Sequence, residues 1–119
     1  MSDTTVLVVD DDRPLADGFT AHLSSHFEVR TAYTGEAALE RLDEAVDVVL
    51  LDRGLPDTRG DAVLEAIRAS DVDCRIAMVS GEQPSADLDC DAYLTKPLSG
   101  VDALSATVTE LVDGSDTSR

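Results

Sequence analysis

The stretch Thr5-Val6-Leu7-Val8-Val9-Asp10-Asp11-Asp12 is the most informative one for the architecture. Five β-branched or aliphatic residues run without a break into three carboxylates. A continuous apolar run this short, rich in valine, suits a strand buried on both faces, and strands of that kind belong to parallel sheets covered by helices. The next element should therefore be a helix that returns the chain to the start of the sheet. Pro14 suits a first helical turn, and Leu15, Phe19 and Leu23 then fall on one helical face.

The same alternation continues outward. Phe27 to Ala32 reads as a second strand, with Phe27, Val29 and Thr31 alternating against Glu28 and Arg30. Thr34 can cap a helix whose stripe is Ala38, Leu39, Leu42 and Val46. Val46 to Leu51 is a third, nearly all-apolar strand, succeeded by a Gly- and Pro-bearing loop from Arg53 to Gly60. Ala62 to Ala69 is helical, Cys74 to Val79 a fourth strand and Ala92 to Thr95 a short fifth. Ser99 and Asp102 resemble a capping box for a last helix with Val101, Leu104, Val108 and Leu111 inward, and a frayed polar tail is expected from about Gly114. Five apolar strands alternating with helices predict an α/β domain around one parallel sheet, with right-handed crossovers and helices on both faces.

Composition bounds the function. The 119 residues are one domain, large enough for a core without staples. There is no apolar run long enough to span a membrane, the start of the chain has no secretory pattern, and two cysteines without motif spacing point to a reducing compartment, the cytoplasm. The formal net charge is −16, built from 18 Asp and 7 Glu against eight Arg and one Lys. Such a surface repels phosphate backbones and anionic membranes, so direct nucleic-acid or membrane binding by this domain is not expected. An Asp-rich, Lys-poor surface also suits a salt-filled cytoplasm, where self-repulsion is screened.

In open parallel sheets the site lies beyond the carboxyl ends of the strands. There the first strand ends in Asp10, Asp11 and Asp12, the third in Asp52, the fourth in Ser80 and the fifth in Thr95-Lys96-Pro97. Gathered carboxylates need a cation, and a hard, oxygen-preferring one such as Mg²⁺ suits them. A lone carboxylate can be a nucleophile in phosphoryl transfer, and Asp52 stands alone. Ser80 and Lys96 could each take one phosphoryl oxygen. Lys96 is the only lysine in the chain. Taken singly, the Asp triplet could be a solvated helix cap and Asp52 a turn residue; their joint order is what argues for a site.

These residues resemble a known family. Val8-Val9-Asp10-Asp11-Asp12, Val48-Val49-Leu50-Leu51-Asp52 with Leu55-Pro56 and Gly60, then Ser80 and Tyr93-Leu94-Thr95-Lys96-Pro97, look like the receiver domain of two-component response regulators. The resemblance covers about residues 4 to 113, with a receiver domain expected over 1–113 and a tail over 114–119. It implies a flavodoxin-like, doubly wound sheet of order 2-1-3-4-5. It further implies that Asp52 accepts a phosphoryl group from a histidine kinase or phosphotransfer protein. Asp10, Asp11, Asp52 and the backbone carbonyl of Gly54 would hold Mg²⁺. Ser80 would be the switch hydroxyl, Lys96 the partner of the phosphoryl group, Tyr93 an aromatic rotamer switch, and Pro97 the proline after a cis peptide bond. Asp12 lies where the family often carries a third acid. The flavour is that of haloarchaeal regulators, including those with a HalX-type C-terminal region.

Lys96 lies only 16 positions after Ser80, and Gly81 to Asp91 lacks an apolar stripe, so the helix between the fourth and fifth strands is expected to be reduced or missing. No output domain is recognisable in the sequence. His22 and His26, four apart, read as a solvated helix face, and Cys74 and Cys90 as small buried or half-buried residues. Two other functions compete with a self-phosphorylating and self-dephosphorylating switch that processes no metabolite. One is a haloacid-dehalogenase-like phosphatase with Asp10 as nucleophile and Asp12 as acid, which leaves Asp52 without a role. The other is a pseudo-receiver adaptor that binds a partner unphosphorylated.

Overall fold

A computed structural model describes residues 4–82, 89–96 and 102–117. Its elements come in the order β1 (Thr5–Val9), α1 (Arg13–Leu23), β2 (Glu28–Ala32), α2 (Gly35–Arg41), β3 (Val48–Asp52), α3 (Gly60–Ala69), β4 (Arg75–Ser80), β5 (Ala92–Thr95) and α4 (Asp102–Thr117). The five strands form one sheet in the order β2-β1-β3-β4-β5, every neighbouring pair parallel. β1 and β3 are buried along their whole length, as continuous apolar strands in the centre of a covered sheet must be. The edge strands β2 and β5 are mostly half-buried and correspondingly more polar.

Successive side chains of a strand point to opposite faces, so β1 and β3 feed two cores. Val6, Val8, Val48, Leu50 and Ala77 face Ala16, Phe19 and Leu23 of α1 and Leu104 and Val108 of α4. Leu7, Val9, Val49, Leu51, Ile76 and Met78 face Ala38 of α2 and Val63, Leu64 and Ile67 of α3. The sheet is thus doubly wound, with two helices on each side among the described residues. Cys74 is buried and Cys90 half-buried against the second core, and burial pushes both thiols above their usual pKa.

Several boundaries differ from those the sequence predicts. α2 ends at Arg41 and Leu42 is already extended, so Leu42 and Val46 do not continue its stripe. Val46 is buried all the same, in the turn before β3, while Leu39 is 41% exposed. One seven-residue helix presents too short a face to bury four stripe positions. α3 begins two residues early, at Gly60. α4 runs through Gly114 to Thr117, so the polar stretch is helical rather than frayed there, a cheap extension once the amphipathic turns before it are docked. The expected reduction of a helix between β4 and β5 falls on residues 83–88, and Ser99, Pro97 and Val101 on 97–101, all outside the described residues.

The few cations are heavily engaged. Arg30 pairs with Asp43, Arg59 with Glu82 and Arg68 with Asp89 and Asp91. The acids still exceed the bases by 25 to 9. The surplus is repulsive, and at molar salt the Debye length is only about 3 Å. The melting temperature is therefore expected to rise by more than about 10 °C between dilute buffer and molar KCl. Thermal melts in a KCl series check this; a flat series would remove the halophilic reading.

Candidate functional site

The parallel register brings the ends of β1, β3, β4 and β5 to one edge, and the backbone ladder continues one residue past three of them. Asp10 N donates to Ala32 O at 3.1 Å, Arg53 N to Val79 O at 3.0 Å, and Lys96 N to Ser80 O at 2.7 Å. Those bonds fix where the next side chains emerge. Asp10 and Asp52 are buried, at 2% and 6% exposure, and Asp11 is exposed. One carboxylate oxygen from each of the three lies within 4.8 Å of the other two.

Lys96 Nζ stands between the two buried acids, 3.4 Å from Asp10 Oδ2 and 3.6 Å from Asp52 Oδ1. Three carboxylates thus face one ammonium, an arrangement that is repulsive on its own. The carboxyl of Asp11 is pushed above the usual carboxylate range, by partial removal from water and by Asp52 beside it. The donor set is all carboxylate oxygen with water access from the Asp11 side, which fits a hard dication such as Mg²⁺ and not a soft metal.

Local backbone holds the acids in place. Asp10 Oδ1 accepts from Asp12 N at 3.0 Å, and Asp52 Oδ1 accepts from Gly54 N at 3.2 Å. Asp12 does not join the cluster; its carboxylate accepts from Leu15 N at 3.2 Å and caps α1. The loop after Asp52 is tied down at two points. Asp57 accepts from Gly35 N and Glu36 N at the start of α2, at 2.9 and 3.1 Å, and these bonds hold its carboxyl below the usual range. Gly60 N donates to Arg53 O at 2.8 Å.

Gly60 is there for close approach. A Cβ on it would sit 2.6 Å from Asp52 O and 2.7 Å from Arg53 Cα, both backbone atoms that cannot rotate away. Gly60→Ala is expected to cost about 3 kcal/mol, the upper end for overpacking, and to lower the melting temperature by roughly 10 °C. Gly18, in α1 with nothing within 4 Å of its would-be Cβ, is the control: Gly18→Ala should stabilise, as alanine does in a helix. Thermal melts of the two variants should move in opposite directions.

Ser80 reaches the same edge and is buried, at 4% exposure, but its Oγ accepts from Glu82 N at 2.9 Å. Tyr93 is half-buried, and its hydroxyl donates to Glu82 O at 3.1 Å. Pro97 lies outside the described residues. His22 Nε2 bonds Ser105 Oγ at 2.8 Å, joining α1 to α4, and His26 packs edge-on to Phe27.

Sequence patterns do not single out Arg53, Asp61 or Glu82, yet all three border the site. Arg53 is 7% exposed and grips Asp61 with two bonds, at 2.7 and 3.0 Å, while its Nη1 donates to Tyr93 Oη at 3.3 Å. Asp61 holds the guanidinium above its usual pKa and is itself held below the usual carboxylate range. The only one-dimensional signal is a charged residue directly after an apolar strand, with an acid eight residues on in a helix's first turn.

The chain is similar to known proteins. The model of the response regulator receiver domain family matches residues 6–109. A Haloferax volcanii protein assigned to the transcriptional regulators is 50% identical over 115 residues, covering 93% of this chain and 20% of that protein. The regulatory protein VanRc of Enterococcus gallinarum is 31% identical over 114 residues, 89% of this chain and 49% of that one. The chain therefore spans about half or less of these relatives. Among solved structures, a CheY-like response regulator receiver domain protein of Methanospirillum hungatei superposes with a TM-score of 0.88 at 27% identity, over 99% of this chain and 100% of that one. The Thermotoga maritima response regulator TrrA, crystallised with Mg²⁺–BeF, gives 0.78 at 28% identity, over 91% and 98%.

Proposed function

This chain belongs to the response regulator receiver domain family, and on that premise we propose that Asp52 is its phosphoacceptor, with Asp10, Asp11, Asp52 and the Gly54 carbonyl as the Mg²⁺ site. The observation that carries the reading is the grouping of Asp10, Asp11 and Asp52 within 4.8 Å, with Lys96 Nζ 3.6 Å from the acceptor carboxylate. A receiver is a phosphoaccepting switch and not a metabolic enzyme. In the transfer, an Asp52 carboxylate oxygen bonds to phosphorus while the bond from phosphorus to the donor breaks. The electron pair leaves with the imidazole nitrogen of a histidine kinase or phosphotransfer protein, or with the acetate of acetyl phosphate. Mg²⁺ supplies charge neutralisation for the phosphoryl oxygens.

The chain's own groups do the rest. Gly54 N–H and the Lys96 ammonium orient the Asp52 carboxylate before transfer. Afterwards Lys96 pairs with one phosphoryl oxygen and the Ser80 hydroxyl donates to another. Later attack of water on phosphorus returns the carboxylate and releases phosphate, which resets the switch. The phosphatase alternative gives Asp12 an acid's task, whereas Asp12 caps α1. A charge of −16 keeps this domain off nucleic acid, so its signal passes to a partner protein or a linked segment. No helix among the described residues is long and apolar enough to cross a membrane, and we place the switch in the cytoplasm.

Acetyl phosphate with Mg²⁺ is the test. Intact-mass measurement should show an added phosphoryl group of about 80 Da, which should not form when the metal is chelated beforehand. No adduct under any metal condition would favour the adaptor that works unphosphorylated.

A further inference from the structure

Phosphoryl chemistry does not account for the residue directly after the acceptor. The Arg53 side chain is 9% exposed, although it carries a charge that water would solvate well. Its Nε and Nη2 form a fork on Asp61, at 2.7 and 3.0 Å. That fork leaves Nη1 aimed at Tyr93 Oη, 3.3 Å away, and 3.8 Å from Glu82 Oε1. Glu82 makes further contacts at the same place. Its N–H donates to Ser80 Oγ, its carbonyl accepts from Tyr93 Oη, and its carboxylate accepts from Arg59 Nη2 at 3.1 and 3.2 Å.

A continuous chain of bonds therefore links Ser80, Glu82, Tyr93, Arg53 and Asp61. Burying an ion pair contributes little net stability, because desolvation offsets most of the attraction. What the planar fork does contribute is orientation, since a guanidinium fixed at two nitrogens has its third direction fixed too. Drawing the Ser80 hydroxyl toward a phosphoryl group on Asp52 takes it off the Glu82 N–H. Among the described residues, the bond from Tyr93 then still holds the Glu82 carbonyl, and Arg53 holds Tyr93.

We propose that Arg53 is a positioning residue of the switch: anchored on Asp61, it pins Tyr93 and the Glu82 peptide in the resting arrangement and so sets how readily a change at Ser80 passes to Tyr93. This rests on Asp52 being the acceptor. A phosphoryl group can shift the equilibrium only by its differential interaction with the two arrangements, so a clamp on one of them raises the threshold directly.

The test uses Tyr93 as its own reporter. The chain has two tyrosines, and Tyr33→Phe leaves Tyr93 as the single one. With 3-fluorotyrosine incorporated, one fluorine resonance then reports Tyr93, in the free protein and with Mg²⁺ and beryllofluoride. In the Tyr33→Phe parent the mimic should move that resonance. Adding Arg53→Gln should move the free resonance by about half or more of that shift before any mimic is present. Arg53→Lys should not restore the parent position, because an ammonium cannot hold Asp61 by a fork and reach Tyr93 together. Asp61→Asn, which loosens the anchor at a partly exposed position, should move it in the same direction and decides the matter if Arg53→Gln does not fold. A lowered melting temperature with the free resonance unmoved in these variants would make Arg53 merely structural and overturn the proposal. A parent resonance that ignores the mimic, with no phosphoryl adduct on Asp52, would instead overturn the acceptor reading on which it rests.

Discussion

Asp52→Asn is expected to abolish the acetyl phosphate adduct completely. The variant keeps the buried position and the bond from Gly54 N but loses the anionic oxygen proposed to attack phosphorus. Its melting temperature in metal-free buffer should hold or rise, because one of three mutually repelling carboxylates is gone while Asp10 keeps Lys96. Loss of the adduct together with an intact fold is what separates a missing nucleophile from a damaged protein. Asp10→Asn should retain the adduct and shift its Mg²⁺ requirement to higher concentration. Intact-mass measurement on both variants checks this. A label that survives in Asp52→Asn and vanishes in Asp10→Asn would make Asp10 the nucleophile.

Lys96→Ala carries the second large effect, and it acts on stability and on chemistry separately. Without the ammonium, Asp10 and Asp52 are left as buried carboxylates with no ion-pair partner among the described residues, a loss of about 2 kcal/mol. That figure lies below the usual cost for a fully buried pair because the Lys96 side chain is 30% exposed. Mg²⁺ should recover most of this stability, since a dication neutralises the same cluster. It should not recover the transfer rate, which is expected to fall about 10²-fold with the loss of the cation proposed to pair with the phosphoryl oxygens. Lys96→Arg should restore stability better than rate, because a planar fork does not replace a compact ammonium between two acids. Melting curves with and without Mg²⁺, set beside adduct formation rates, check both halves. Wild-type rates in Lys96→Ala would remove Lys96 from the site.

The central strands are legible in the sequence because burial on both faces leaves a continuous apolar signature. β1 and β3 carry it, and their ends deliver Asp10 and Asp52 to the same edge. The helix boundaries are less so. Leu39 is exposed because the buried face of α2 runs through Gly35 and Ala38, and the next residue along a helix points about 100° away. Arg53 escapes a reading of the sequence for a different reason: its partners Asp61, Glu82 and Tyr93 sit 8, 29 and 40 residues further on. No periodicity relates those positions.

The parallel sheet, the edge of it that gathers the acids and the groups that meet there were all written in the order of residues along the chain. Strand polarity and strand-end identity are one-dimensional properties, and a parallel sheet converts them into a shared edge. How those groups are engaged came from the folded arrangement alone. It sets Lys96 between two buried acids, turns Asp12 from the cluster into a helix cap, gives Ser80 to Glu82, and aims Arg53 at Tyr93. Each of those outcomes depends on distances of a few ångströms, most of them between residues remote in the chain, and hydrogen bonds and ion pairs are directional at that scale.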